Sequence, residues 1–319
     1  MEQKRIEELI EKVGCFSVTG KCTKISPNGN GNVNDTFVAT LENGDESKKY
    51  TLQRINHLVF KNPAELMDNF SRVSRHLQTK PGRHCLRVMP KQNGQFYHQD
   101  DQGNYWRLLE YIEGVKCLEV PQNEKQAYEA AHTFGQFQAD LLDLPGDPLI
   151  ETIPEFHNTS KRFEAFTDAL SKDDLGRASK VYEWIDFAME REVLCSALGA
   201  EKLPVRVVHN DTKLNNVLLD AKTEKGVCAI DLDTVMPGCV LHDFGDLVRT
   251  TALETGLPTI RISGRRWLNP KWFPDRFQVN ALTSGKSAPS LAGVNPWMRT
   301  SGKRVSPCNM GKSGLALKV

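Results

Sequence analysis

His209, Asn210, Asp211 and Asn216 fall within eight residues, HNDTKLNN, and Asp231 follows in AIDLD at 229–233. Phosphoryl transfer to a hydroxyl needs an acid to orient the attacking oxygen and take its proton. It also needs oxygen ligands for a cation on the nucleotide phosphates, and positive or N–H groups to offset charge on the moving group. The motif H-R-D-x-x-x-x-N sets a base five residues before a metal-binding Asn. Asp211 and Asn216 keep that spacing behind His209. Asp231 lies one hairpin further on, where a second metal ligand is expected. Mg²⁺ takes hard oxygens and retains waters, so one Asn, one Asp and the ATP phosphates suffice. Such residues in loops otherwise serve as caps and turn formers. Here each stands beside an apolar run: VRVVH, VLLD or VCAID.

Asp243-Phe244-Gly245 spells the metal motif of protein kinases, but it lies 27 residues past Asn216 and reads as a helix start. Asp243 and Asp246 are therefore read as caps or loop anchors. PNGNGN at 27–32 sits between two strand-like runs. Gly29, Asn30, Gly31 and Asn32 suit a loop whose backbone N–H groups approach phosphate, although a Gly/Asn hairpin turn reads the same way. No G-x-x-x-x-G-K-[ST] is present, which disfavours a Walker-type ATPase. WRLLEYIEG at 106–114, with Glu110 and Ile112, suits either a hinge that bonds adenine or an ordinary strand end. The run YTLQRIN holds no Lys, so the phosphate-facing residue is Gln53 or Arg54. Alternation puts Leu52 and Arg54 on one face and Gln53 on the other.

These residues need elements to hold them. Strands are expected over 22–41 on either side of the glycine loop and over 48–55. Asn62-Pro63 starts a helix whose face is Leu66, Phe70, Val73 and Leu77. Residues 85–112 read as hairpins. From about 121 the period is helical, with Ala127, Ala130, Phe134, Phe137 and Leu141 on one face, until Pro204. The expected fold is α+β and bilobal, protein-kinase-like. An N-lobe at 1–113 has an antiparallel sheet with one helix, and a mainly helical C-lobe spans 114–256. Residues 257–319 read as an atypical tail, poorly ordered, truncated or frameshifted.

That tail carries 11 of the 41 Lys and Arg, three of the five Trp, and only one of the 40 Asp and Glu. The remainder is net acidic, and nucleic-acid binding through the basic tail is not expected. No run approaches 18 apolar residues, and the charged, amphipathic N-terminus has no signal-peptide core, so neither a membrane span nor export is expected. The eight cysteines form no C-x-x-C pair. Reduced thiols in the cytoplasm are the expectation.

VHNDTKLNNVLLDA with AIDLDTVMPG resembles the aminoglycoside phosphotransferase / choline kinase superfamily. Within it, the motifs are similar to those of N-acetylhexosamine 1-kinases, with PNGNGNVNDTF, YTLQRIN, ETIPEFHNTSKRFEAF and DLGRA as further matches over about residues 10–256. The resemblance implies ATP and Mg²⁺ as cofactors and a sugar substrate phosphorylated at its anomeric hydroxyl. It implies Asp211 as catalytic base, Asn216 and Asp231 as metal ligands with Asp233 nearby, and Gly29 and Gly31 in the phosphate loop. Asn210 is expected beside Asp211 at the acceptor, and His157 to Arg162 near it. Choline, homoserine or an aminoglycoside as acceptor, or a kinase-like chain impaired by its C-terminal segment, are the alternatives. The oligomeric state is not legible.

Overall fold

The computed structural model describes residues 3–28, 33–198 and 203–252. The glycine-rich residues 29–32 and the tail at 257–319 lie outside them, so the expectations placed there have no structural counterpart.

Five strands form one antiparallel sheet in the order β1-β2-β3-β5-β4. They are β1 (Lys21–Pro27), β2 (Asp35–Asn43), β3 (Glu46–Ile55), β4 (His98–Gln99) and β5 (Tyr105–Glu110). Strand alternation sorts their side chains. Phe37, Ala39, Leu41, Tyr50, Leu52, Trp106 and Leu108 bury one face against Leu9 and Val13 of α1 (Gln3–Gly14). That helix is a correction: the N-lobe holds two helices, not one. The charge of QKRIEELIEKVG lies on its outer side, and a stripe of apolar residues covers the sheet.

The second N-lobe helix, α2 (Pro63–Gln78), starts as expected, with Asn62 Oδ1 accepting the Glu65 N–H at 3.4 Å and proline at the first position. Leu66, Phe70, Val73 and Leu77 are all buried on its inner face. They belong to a core that continues into the second lobe through Phe134, Phe137, Leu214, Val217 and Leu232. Removing a ring such as Phe70 from this core costs about 3–5 kcal/mol.

The second lobe contains α3 (Glu124–Asp140), α4 (Thr159–Lys172), α5 (Tyr182–Met189) and α6 (Val240–Ala252). Asn123 and Asn158 cap α3 and α4 as Asn62 caps α2. The strand β6 (Val115–Lys116) leads out of the first lobe and pairs with β8 (Val217–Asp220), which pairs with β9 (Gly226–Ala229). A separate ribbon joins β7 (Arg206–Val208) to β10 (Met236–Gly238). Helix α3 packs so closely on the β8–β9 hairpin that a Cβ on Gly226 would stand 1.9 Å from Thr133 Oγ1. Gly226 is there for that approach.

Glu224 staples the same hairpin. Its carboxylate accepts from Lys116 Nζ and Gln126 Nε2, each at 2.7 Å, and from Asn123 Nδ2 at 3.4 Å. The Lys116 bond and then the Gln126 bond hold its pKa down at about 2, against an ordinary 4.5. A depressed carboxylate contributes stability that is present above its unfolded pKa and lost as pH falls through the folded value. Glu224→Gln is therefore expected to lower the urea midpoint at pH 7. The gap to the parent chain should narrow as pH falls from about 4.5 toward 2. A gap that stays constant with pH would assign the loss to packing.

Among the described residues no helix is long and apolar enough to cross a membrane, and the seven described cysteines are free thiols.

Candidate active site

The ribbon and the hairpin together frame the loop 209–216. His209, fully buried at the end of β7, donates Nε2–H to the Ile230 carbonyl at 2.9 Å. The edges of Phe134 and Phe137 meet its ring at centroid distances of 5.1 and 5.6 Å. Asn210 turns the chain in the left-handed region, φ 64°. Asn suffers less there than most residues. Three elements hold it: its N–H donates to Asp243 Oδ1 at 2.7 Å, its Nδ2 to the Thr234 carbonyl at 2.9 Å, and its carbonyl accepts from His157 Nε2 at 3.1 Å.

Asp243 is thus a loop anchor, as expected. Its other oxygen accepts the His209 N–H at 2.9 Å and Gln138 Nε2 at 2.6 Å, and its carbonyl accepts the Thr212 hydroxyl at 2.6 Å. Asp243→Ala strands two buried backbone donors. A loss of about 3 kcal/mol is expected, since charged acceptors are worth roughly 1.5–3 each. A denaturant midpoint within error of the parent would contradict this anchoring.

The loop presents Asp211 in a defined pose. Asn216 Nδ2 donates to the Asp211 carbonyl at 2.8 Å and to its Oδ2 at 2.9 Å, and Lys213 Nζ meets the same Oδ2 at 2.9 Å. Among the described residues Oδ1 has no hydrogen-bond partner, so one oxygen is clamped and the other is available. With its Nδ2 engaged, Asn216 keeps Oδ1 as the atom able to bind a cation. Asp231 is brought alongside because the Ile230 N–H bonds the Asn216 carbonyl at 2.9 Å, continuing the β8–β9 register. Asp231 then departs with φ 60°. Loss of hydration, and then the negative charge of Asp233, push its pKa up to about 6, with Asp211 adding and Arg107 and His209 opposing. The residue retains solvent access, so the crowded negative charge is the firmer cause.

Asp233 serves another purpose. Arg107 of β5 forms a two-pronged pair with it, Nη1 to Oδ1 and Nη2 to Oδ2, the latter at 3.0 Å. Asn34 Nδ2 reaches Oδ2 at 2.6 Å, and Gln53 Oε1 accepts from Arg107 Nε at 2.9 Å. Arg107 is 1% exposed and lies over the Phe70 ring at 4.7 Å. It joins the sheet to the catalytic half of the molecule.

This places the remaining sequence candidates. Gln53 stands opposite Arg107 across β3–β5 and faces Asp233 through it. Arg54 stands opposite Trp106, on the α1 side of the sheet, half-exposed and paired with Asp35. Glu110 ends β5, and its carboxylate meets Lys48 at 3.1 Å. The N–H groups of Glu110 and Tyr111 bond the Arg87 and Lys49 carbonyls, whereas that of Ile112 has no backbone partner among the described residues. Phe156, His157 and His242 pack in turn beside Asn210, their rings tilted and their centroids 4.6 and 4.8 Å apart. Lys213 and Arg107 were missed by the sequence reading. The signal for Lys213 was a cation two places after the proposed base. For Arg107 it was a lone Arg inside the apolar run WRLLEY.

The antiparallel sheet joined to a mainly helical second lobe is a protein-kinase-like fold. A family model described as the APH phosphotransferase enzyme family matches residues 24–277, and the chain belongs to that family. It is a small-molecule kinase by that membership. An aminoglycoside phosphotransferase from Alicyclobacillus acidocaldarius has the same fold, with TM-score 0.51 at 15% identity over 78% of this chain and 71% of that one. The ADP-bound aminoglycoside phosphotransferase APH(2'')-Ib is similar at TM-score 0.47 and 17% identity, covering 79% and 77%. A Plasmodium vivax ethanolamine kinase gives 0.46 and 12%, covering 70% and 61%.

Proposed function

We propose that this chain transfers the γ-phosphoryl group of ATP to the anomeric hydroxyl of an N-acetylhexosamine, giving the sugar 1-phosphate and ADP. The observation that carries the reading is the pose of Asp211: Oδ2 held by Asn216 and Lys213, Oδ1 open. In the reaction Oδ1 orients the hydroxyl and takes its proton. The sugar oxygen forms a bond to the γ-phosphorus as the bond to the β–γ bridging oxygen breaks, and ADP leaves. Lys213 offsets charge on the transferring group. Most of the acceleration in such a site comes from alignment and fixed charge.

Asn216 Oδ1 and the Asp231 carboxylate would hold Mg²⁺. The donor set fits: both are hard oxygens, and the negative charge crowding Asp231 is what a divalent cation relieves. Among the described residues no cluster of three or more His, Cys, Asp and Glu side chains is placed to hold a metal ion. A nucleotide-linked ion, which takes its other ligands from phosphates and water, suits that sparse set. The ion supplies charge neutralisation on the phosphates. The Ile112 N–H is our candidate for adenine, and residues 29–32 are our candidates for the phosphates.

Support for a sugar comes from the sequence motifs around HNDTKLNN and HNTSKRF. The rings of Phe156, His157 and His242 agree with it, since they set apolar ring surface beside Asn210, next to Asp211. The deciding experiment supplies ATP, Mg²⁺ and N-acetylglucosamine or N-acetylgalactosamine to the full-length chain and measures sugar 1-phosphate. Phosphorylation of an amino alcohol or aminoglycoside with no sugar turnover would refute the sugar assignment and leave the family standing.

A further inference from the structure

The turn at 151–158 is braced more heavily than the helix it leads into requires, since α4 buries no residue. Glu155 takes the left-handed region at φ 60°, uncommon for a residue other than glycine. Its N–H donates to Glu151 Oε1 at 3.1 Å. Its carboxylate accepts from Asn158 Nδ2 at 2.6 Å and from Lys161 Nζ at 2.8 Å. Arg162 donates Nε and Nη2 to the Phe156 carbonyl at 3.0 and 2.6 Å. Each of these surface bonds is modest by itself. Together they leave residues 156 and 157 little freedom. A strained residue kept in place by its surroundings points to a function for what it aims.

It aims His157, whose Nε2–H donates to the Asn210 carbonyl at 3.1 Å. That carbonyl and the Asp211 N–H belong to one planar peptide. Holding the carbonyl holds the plane, and with it the backbone from which the Asp211 side chain leaves. The Asp243 bond fixes the peptide before Asn210, and the Thr234 bond fixes its side chain. Among the described residues no other hydrogen bond reaches the 210–211 plane. The rings of Phe156 and His242, centred 4.6 and 4.8 Å from that of His157, restrict the swing of the imidazole. His242 directly precedes Asp243, so α6 supplies both the anchor of the Asn210 N–H and a ring against His157.

We infer that His157 is a positioning residue for Asp211: its hydrogen bond sets the 210–211 peptide plane so that Asp211 Oδ1 meets the acceptor hydroxyl. The inference rests on the reading of Asp211 as the base. Asn216 holds the peptide after Asp211 and one oxygen of its carboxylate. His157 holds the peptide before it. Asp211 is thereby fixed from both sides, and the braced turn at 151–158 is the mount for one of them.

The test uses the full-length chain with three substitutions. His157→Gln puts an amide N–H where Nε2–H stands. His157→Asn puts one where Nδ1 stands, short of the carbonyl. His157→Phe keeps a ring and has no donor. With ATP, Mg²⁺ and N-acetylglucosamine, the Phe and Asn variants are expected to lower kcat about ten- to a hundredfold, as a misplaced reacting group does. KM for ATP should change less than about twofold. The Gln variant should recover most of the loss. In the Asp211→Asn background His157→Phe should cost nothing further. Hydrogen exchange read by mass spectrometry needs no substrate: the stretch 207–217 should exchange several-fold faster in His157→Phe and return toward the parent rate in His157→Gln. Equal turnover of the Gln and Phe variants, a full further loss in the Asp211→Asn background, or unchanged exchange in His157→Phe would overturn the inference. If the parent chain turns over no hexosamine, the functional reading fails on its own, and exchange in the loop still decides the role of His157.

Discussion

Asp211→Asn lowers kcat by roughly 10²–10⁴-fold, the range expected when a positioned general base is removed. The folded chain should survive the change nearly intact. Asn216 Nδ2 and Lys213 Nζ both approach Oδ2. An amide oxygen placed there still accepts from each, and the lost charge belongs to a pair that is partly open to solvent, worth about 1 kcal/mol or less. That constraint turns the new NH₂ toward the acceptor. A donor then stands where a proton must be accepted, so the hydroxyl is mis-oriented as well as not deprotonated. KM for ATP is expected to change little, because the lost interaction matters in the transition state. Steady-state kinetics beside a thermal melt check this. Near-parental kcat in a folded Asp211→Asn protein would sink the assignment of Asp211.

The reason the loop around Asp211 was legible and the Arg107–Asp233 contact was not lies in sequence distance. The loop 209–216 is closed by bonds between neighbours, Asn216 to Asp211 across five positions, so spacing alone encodes it. The hairpin that returns Asp231 is equally local. Arg107 and Asp233 are 126 positions apart, and no period or motif reports that they meet. A buried Arg does announce a need for a carboxylate. Its partner becomes known only once the β3–β5 register sets Arg107 beside Gln53. The same register settles where Gln53 and Arg54 point, which alternation had left relative. Helix α1 was visible as an amphipathic stretch, but what its apolar stripe covers is a tertiary fact. The anchoring role of Asp243 was inferable because its position, too far for the next hairpin, ruled out the metal ligand its motif spells.

Arg107→Met is expected to cost about 3–5 kcal/mol, the range for breaking a buried ion pair by removing one partner. Asp233 is 3% exposed and Arg107 1%, so water replaces neither. Methionine fills much of the volume and can rest on the Phe70 ring, so the loss is mainly electrostatic. Asn34 remains as a donor to Asp233 at 2.6 Å, and one neutral bond falls short of a two-pronged guanidinium. Gln53 also loses its partner. Replacing both members, Arg107→Met with Asp233→Leu, removes the stranded charge. It should recover most of the stability, because an apolar pair of similar volume often matches a buried salt bridge. It should not recover turnover to the same extent. Asp233 is two residues from Asp231 and ties that segment to β5, so without the tie the φ 60° turn that aims Asp231 loses its fixed end. Urea titrations of the single and double variants, each paired with kcat, separate the two roles. Full recovery of both stability and turnover in the double variant would reduce the pair to a packing element.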